Sequence, residues 1–111
     1  MRIIIKEVNS FMPDVVIKIF EDKIEYTNNF SEKKLKYDAA EIKEIMRMFL
    51  EISKGWKAKY EDKGVIDEDI YKISIIGNTT KEIFIKNKYP NNWGDFMSFR
   101  NKLIREELKF R

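Results

Sequence analysis

Hydrophobic residues recur at steps of three and four along residues 38–60, which is the strongest periodic pattern in the chain. This spacing puts the apolar residues on one face of a helix, while the charged residues fall largely on the other face. Asp38 is a good N-cap, and Glu41 lies three residues later, as in a capping box. Gly55 could end the helix or be tolerated inside it, and we expect the helix to continue to about Tyr60. The apolar stripe, interpreted as core packing, comprises Ile42, Ile45, Met46, Phe49, Ile52, Trp56 and Tyr60.

Short runs in which apolar and polar residues alternate precede this helix, a pattern that predicts β-strands. Residues 2–8 are apolar on both faces, as in a strand that is well covered. Residues 15–20 and 24–27 are close enough in sequence to form a hairpin. A turn at 28–31 leads to a short run at 34–37, whose lysines suit an exposed edge strand.

A second hairpin and a second helix follow the polar connector that leaves the first helix. Residues 71–75 and 82–86 alternate in the same way on either side of a turn at 77–80. Asn92 is the predicted N-cap of the last helix, with Asp95 in its first turn. The apolar stripe of that helix comprises Trp93, Phe96, Met97, Leu103, Ile104 and Leu108.

The order of these elements predicts the fold class. Short turns between consecutive strands favour antiparallel pairing, and two amphipathic helices need an apolar sheet face to cover. A chain of 111 residues with 43% hydrophobic residues can form one core. We therefore predict a single α+β domain over residues 1–111, in the order β-β-β-(β)-α-β-β-α. Its antiparallel sheet should have five to six strands, with the two helices packed on one face.

The chain contains neither cysteine nor histidine. Without these residues it cannot form disulfides, thiolate nucleophiles, His-activated nucleophiles or most transition-metal sites. We therefore expect a protein that is not an enzyme, with no catalytic residue, no cofactor and no metal site. There is also no secretory signal and no apolar run approaching about 18 residues, which predicts a cytoplasmic protein of a bacterial host that does not bind membranes.

Charge is distributed unevenly along the chain. The formal net charge is +3, but residues 61–69 hold five acids and one lysine, a local charge of −4 that leaves +7 for the rest. A solvated loop is the ordinary interpretation of such a run. The functional interpretation is docking on the basic surface of a protein partner, in imitation of DNA phosphates. The residues predicted for this partner-binding site are Trp56, Tyr60, Glu61, Asp62, Asp67, Glu68 and Asp69.

The basic C-terminal part of the chain allows a second interpretation. Residues 81–111 carry eight basic and four acidic residues, so the last helix could contact the phosphates of a nucleic acid. A solvated helix face is the ordinary interpretation, and no helix-turn-helix or RNA-recognition signature accompanies the charges. The predicted contacts are Arg100, Lys102, Arg105 and Lys109. The aromatic residues that could stack on bases, where exposed, are Phe84, Tyr89 and Tyr26.

One stretch of the chain carries a resemblance to a known family. Its residues are Gly55-Trp56, then Tyr60-Glu61-Asp62, then Asp69 and Ile73-Ser74-Ile75. Over about residues 48–75 the chain resembles the small phage-encoded anti-CRISPR inhibitors of type II-A Cas9. That family uses acidic side chains to occupy the site on Cas9 that reads the PAM duplex. The resemblance implies that Glu61 and Asp62 are the candidate contacts.

These patterns together lead to one expected function and two alternatives. We expect a non-enzymatic protein-binding inhibitor from a phage or bacterial mobile element, which docks its acidic connector on a basic partner surface. An immunity protein that neutralises a toxin nuclease is the alternative within the same class of binding proteins. A nucleic-acid-binding protein that uses the basic C-terminal helix is the alternative from a different class.

Overall fold

The computed structural model describes residues 1–29 and 31–109, and within them the chain forms seven strands and two helices. The strands are β1 (Arg2–Asn9), β2 (Val15–Ile19), β3 (Ile24–Asn28), β4 (Ser31–Leu35), β5 (Lys59–Glu61), β6 (Asp69–Ile76) and β7 (Thr80–Lys86). The helices are α1 (Ala39–Ser53), between β4 and β5, and α2 (Trp93–Ile104), after β7. The predicted α+β class is confirmed. Phe30, part of the predicted turn at 28–31, lies outside the described residues.

All seven strands belong to one sheet, in the order β4-β3-β2-β1-β6-β7-β5. Neighbouring strands are antiparallel except β5, which pairs in parallel with β7. β1 lies at the centre, paired with β2 on one side and with β6 over eight positions on the other. The strand is therefore central, but the helices cover only one of its faces: Ile3 and Ile5 are fully buried, while Ile4 is half-buried and Lys6 is exposed on the other face. The parallel β5 makes the sheet mixed, whereas a purely antiparallel sheet of five to six strands was predicted.

The core lies between the sheet and the two helices, which pack on the same sheet face. Register partners point to the same side of a sheet, and the fully buried Ile3 is the partner of Ile19 and of the buried Ile75. Phe49 of α1 and Phe96 of α2 are buried in the same cluster as these isoleucines, with ring centroids 6.1 Å apart. The predicted placement of both helices on one face is therefore confirmed.

α1 begins as predicted and ends earlier than predicted. The backbone N–H of Glu41 donates to Asp38 Oδ1 at 2.8 Å, and the Asp38 N–H donates to Glu41 Oε1 at 2.9 Å, which completes the capping box. The helix ends at Ser53 and does not reach Tyr60. Gly55 has a φ of +88°, so the chain leaves the helical path there at a residue without a Cβ.

The second helix also differs from prediction at both ends. Asn92 is the residue before α2, but its side chain makes no capping hydrogen bond and is used elsewhere in the fold. Leu108, assigned to the apolar stripe of the helix, lies beyond its last residue, Ile104. It is nevertheless buried, because the chain turns back at Glu106, whose φ is +61°, and returns to the core.

Candidate protein-binding surface

Two surface loops meet at one end of the sheet. The acidic connector between β5 and β6 covers residues 62–68, and the turn between β1 and β2 covers residues 10–14. They meet because β1 and β6 remain paired as far as Asn9 and Asp69. Ser10 then joins the loops: its N–H donates to the Glu68 carbonyl at 3.2 Å, and the Glu68 N–H donates to Ser10 Oγ at 3.1 Å. We call residues 10–14 and 62–68 together the paired-loop surface.

Large apolar side chains project from both halves of the paired-loop surface. Phe11 is 77% exposed and Met12 is 67% exposed, while Val65 and Ile66 on the other loop are 45% and 96% exposed. Among the described residues only Met1 and Tyr89 are other large hydrophobic residues in the exposed class. Single exposed hydrophobic residues are ordinary, but four on two joined loops form a patch of the kind found at binding interfaces.

Sequence analysis missed all four of these apolar residues. A signal was present, since Phe11-Met12 precedes Pro13 in a turn and Val65-Ile66 interrupts the acidic run. Apolar residues in such polar, turn-forming segments have no strand or helix face through which to reach the core. The partner-binding site was instead predicted at the acidic residues, because a cluster of charge can be recognised directly in a sequence.

The predicted acidic residues differ in whether their carboxylates form ion pairs within the fold. Glu61 is half-buried on β5 and ion-paired with Lys59 at 3.5 Å and Lys63 at 3.8 Å. Glu68 is exposed and lies 3.5 Å from the ammonium of Lys86. Asp62, also exposed, accepts a hydrogen bond from the Gly64 N–H at 3.0 Å, which shapes the loop and leaves its charge unneutralised. Among the described residues, Asp67 is exposed and has no ion-pair partner.

Asp69 has a structural role at the base of the paired-loop surface. It is half-buried, accepts a hydrogen bond from Asn9 Nδ2 at 3.3 Å and accepts a short one from the hydroxyl of Tyr89. Its backbone N–H also donates to Asn87 Oδ1 at 2.9 Å. Burial, together with the bond to Asp69, raises the pKa of Tyr89 to about 12. Asp69 thus holds the two loops on the sheet.

The two aromatic members of the predicted site do not lie on this surface. Trp56 is 6% exposed, packs against Phe49 and donates its indole N–H to Asn92 Oδ1 at 2.7 Å. Its burial removes it from any surface that a partner can touch. Tyr60 is half-buried on β5, and its hydroxyl accepts the Lys57 N–H at 2.9 Å. Both residues stabilise the segment that connects α1 to β5.

The predicted basic contacts on the last helix are not brought together. Arg100 turns toward the sheet and forms an ion pair with the buried Glu7, with an Nη2–Oε1 distance of 2.6 Å. Burial lowers the pKa of Arg100, but the hydrogen bond and charge of Glu7 outweigh it and raise the pKa above its usual value. Arg105 lies 3.7 Å from Glu107. Lys102 and Lys109 are exposed, but Lys109 lies beyond the end of α2. Two of the four predicted basic contacts, Arg100 and Arg105, are thus ion-paired within the fold, and nucleic-acid contact by this set stays a prediction.

Two further properties concern metal ions and membranes. Among the described residues, no group of three or more carboxylate, cysteine or histidine side chains is placed to hold a metal ion. Neither of the two helices in this part of the chain is long and apolar enough to cross a membrane.

Comparisons with protein-family models, with curated proteins and with solved structures find no match to this chain.

Proposed function

We propose that this chain is a non-enzymatic inhibitor that binds a partner protein through the paired-loop surface. The observation that carries the proposal is the exposure of four large apolar side chains on two loops joined by hydrogen bonds. Exposing such side chains to water is unfavourable by roughly 25 cal/mol per Å² of apolar area, and the fold gains nothing from it. Burial against a partner recovers this free energy, as at the centre of protein interfaces.

The residues beside the apolar patch indicate the chemistry of the partner. Asp62, Asp67 and Glu68 lie on the same loop as Val65 and Ile66. An apolar centre with an acidic rim suits an apolar pocket bordered by lysine or arginine side chains. Rim charges of this kind speed association and favour the correct partner more than they add affinity.

Basic surfaces are typical of proteins that process nucleic acids, so the proposed partner is a protein of this class. An inhibitor encoded by a phage or mobile element would cover the surface on which such an effector binds its nucleic acid. The resemblance over residues 48–75 to anti-CRISPR inhibitors points to the same class of partner. An immunity protein against a toxin nuclease would use the surface in the same way.

The proposal is tested by substitution of the apolar residues. A tagged chain captures partners from a bacterial lysate, mass spectrometry identifies them, and calorimetry measures the affinity of the purified candidate. We expect Phe11→Ser with Ile66→Ser to weaken binding by about 1,000-fold, since two hot-spot residues at about 2 kcal/mol each together contribute about 4 kcal/mol. Thermal unfolding should change little, because both side chains are exposed.

Charge reversal separates the acidic rim from the apolar centre. Asp62→Lys with Asp67→Lys should slow association and reduce its salt dependence, with a smaller effect on dissociation. Glu32→Lys with Glu51→Lys is the matched control, because it makes the same charge change at two exposed positions on β4 and α1. Affinity that stays within about threefold for the Phe11 and Ile66 variant would mean that the partner binds elsewhere.

A further inference from the structure

The sheet face opposite α1 and α2 is uncovered by any described element. Lys6 of β1 is the register partner of Lys72 of β6, Lys72 is the partner of Phe84 of β7, and Phe84 is the partner of Lys59 of β5. These four residues form one row across four neighbouring strands, with three lysines around one aromatic ring. At about 4.8 Å between strands, the row spans about 14 Å. We call it the lysine row.

The Lys6–Lys72 pair, at one end of the lysine row, is electrostatically unfavourable for the isolated chain. Like charges directly opposite each other on two strands are destabilising, and Lys6 and Lys72 stand in that relation. Both are exposed, and within residues 1–29 and 31–109 neither ammonium has a carboxylate within ion-pair distance. The fold does not use these two charges. An anionic ligand would remove their repulsion.

The lysine row lines a shallow groove of about 870 Å³ on the open sheet face. Phe84 lines the groove and is only half-buried, so part of its ring can be reached from outside. Two acids also line it, Glu82 and Glu61. Glu61 is already paired with Lys63 and with Lys59 of the lysine row, so a phosphate at Lys59 would take the place of that carboxylate. Glu82 is the one unpaired carboxylate among the described lining residues.

We propose that the open sheet face binds single-stranded nucleic acid. The lysines contact backbone phosphates, and a base stacks on the exposed part of Phe84. A sheet that offers an aromatic side chain among basic ones is a known way to hold single-stranded bases, which a duplex would keep inside its own stack. A second copy of the chain is a poor occupant of this face, because symmetric stacking would bring two lysine rows together.

This inference goes beyond the proposed inhibitor function and does not depend on it. The lysine row shares no residue with the paired-loop surface. A chain that docks on a nucleic-acid-processing effector and holds a single strand would engage both parts of such a complex. The two surfaces can therefore be tested independently.

Fluorescence anisotropy with labelled single-stranded DNA, single-stranded RNA and duplex DNA tests the proposal. We expect the wild-type chain to bind both single strands more tightly than the duplex. The logarithm of the association constant should fall with the logarithm of salt concentration with a slope of about −2, since each of three phosphate contacts contributes about −0.7. No measurable single-strand binding at about 50 mM salt would overturn the proposal.

Paired lysine variants locate the site. Lys6→Gln with Lys72→Gln should lower single-strand affinity at least about tenfold at low salt and bring the slope to about −0.7. Lys43→Gln with Lys102→Gln makes the same charge change on α1 and α2, away from the open face, and should stay within about twofold of wild type. Equal losses in both variants would mean that only net charge matters, and the lysine row would not be the site.

The aromatic contact is tested with Phe84→Leu, which keeps an apolar side chain and removes the stacking surface. We expect about a fivefold or larger loss of affinity with an unchanged salt slope. Unfolding curves establish that each variant is folded. The proposal would be overturned if the chain bound duplex DNA as tightly as single strands and Phe84→Leu left the single-strand affinity unchanged. The Phe11→Ser and Ile66→Ser variant should bind single strands like wild type, so failure of the inhibitor proposal would leave this one standing.

Discussion

Arg100 of α2 donates two hydrogen bonds to Glu7 of β1, from Nη2 to Oε1 at 2.6 Å and from Nε to Oε2 at 2.8 Å. Glu7 is one of two buried polar or charged residues among those described, and its register partner Tyr71 is buried as well. Arg100 supplies the opposite charge that makes a carboxylate tolerable at this position. The pair joins α2 to the central strand.

Loss of Arg100 should therefore destabilise the fold. We expect Arg100→Leu to lower the free energy of unfolding by about 2–3 kcal/mol, below the usual figure for a buried pair because the Arg100 side chain keeps 21% of its surface exposed to solvent. Arg105→Leu, which breaks only the exposed contact with Glu107, should cost about 0.5 kcal/mol or less. Urea unfolding measures both. Glu7→Leu with Arg100→Leu should be more stable than Arg100→Leu alone, and the reverse order would contradict this account.

Asn92 links the end of α1 to the start of α2. It should therefore contribute more to the stability of the fold than its neighbour Asn91. Its Nδ2 donates to the Ile52 carbonyl at 2.7 Å, and its Oδ1 accepts the Trp56 indole N–H at 2.7 Å. Asn92→Ala leaves both groups without this partner and should cost about 1–3 kcal/mol of unfolding free energy. Asn91→Ala, at an exposed position, is the matched control and should be close to neutral. Similar losses for the two variants would show that the bridge contributes nothing.

Two glycines should respond to alanine with opposite signs. Gly55 has a φ of +88°, and an alanine there is strained although no atom lies within 4 Å of its Cβ, so we expect a loss of about 1 kcal/mol. Gly94 lies in the first turn of α2 with equally open space, and Gly94→Ala should raise stability by up to about 1 kcal/mol. Thermal unfolding of the two variants is sufficient. A neutral Gly55→Ala would mean that the end of α1 is not held by backbone conformation.

Stability should fall in alkaline solution. Burial raises the pKa of Tyr71, and burial with the Asp69 hydrogen bond raises that of Tyr89 to about 12. The folded chain then holds these protons more tightly than the unfolded chain, whose tyrosines ionise near about pH 10. Their contribution is complete below about pH 10 and is lost as the pH rises toward about 12. Melting temperatures measured across this range should fall less steeply for Tyr89→Phe than for wild type. Parallel curves would contradict the assignment to Tyr89.

The fold class could be predicted from sequence because most of its elements are local. The 15–19 and 24–28 hairpin, the capping box at Asp38 and the second hairpin follow from side-chain alternation and short-range hydrogen bonds. The pairing of β1 with β6 could not be predicted. An apolar strand can pair with any of several other apolar strands, and these two strands are far apart in sequence. β5 is only three residues long, and its first two residues fall in the segment that was predicted as the end of the first helix. Trp56 and Tyr60 continue the helical spacing of apolar residues by coincidence.

The candidate surfaces were predicted less well, for a related reason. Charge is visible in a sequence, so the acidic connector was found, but whether an acid is free depends on neighbours such as Lys59 and Lys86 from other strands. Exposure of Phe11 and Ile66 depends on where the loops sit relative to the core. The lysine row depends on register across four strands, which only the folded sheet brings into line.

The central position of β1 has a consequence for the growing chain. Its partners on β6 lie from 60 residues away (Asn9 to Asp69) to 74 residues away (Arg2 to Ile76). At about 5–20 residues per second, a ribosome needs roughly 3–15 s to synthesise that interval. During this time β1 can pair with β2 on one side only, and Ile3, Ile4 and Ile5 offer an apolar strand to other nascent chains. The strand at the centre of the finished sheet is the open edge of the unfinished one.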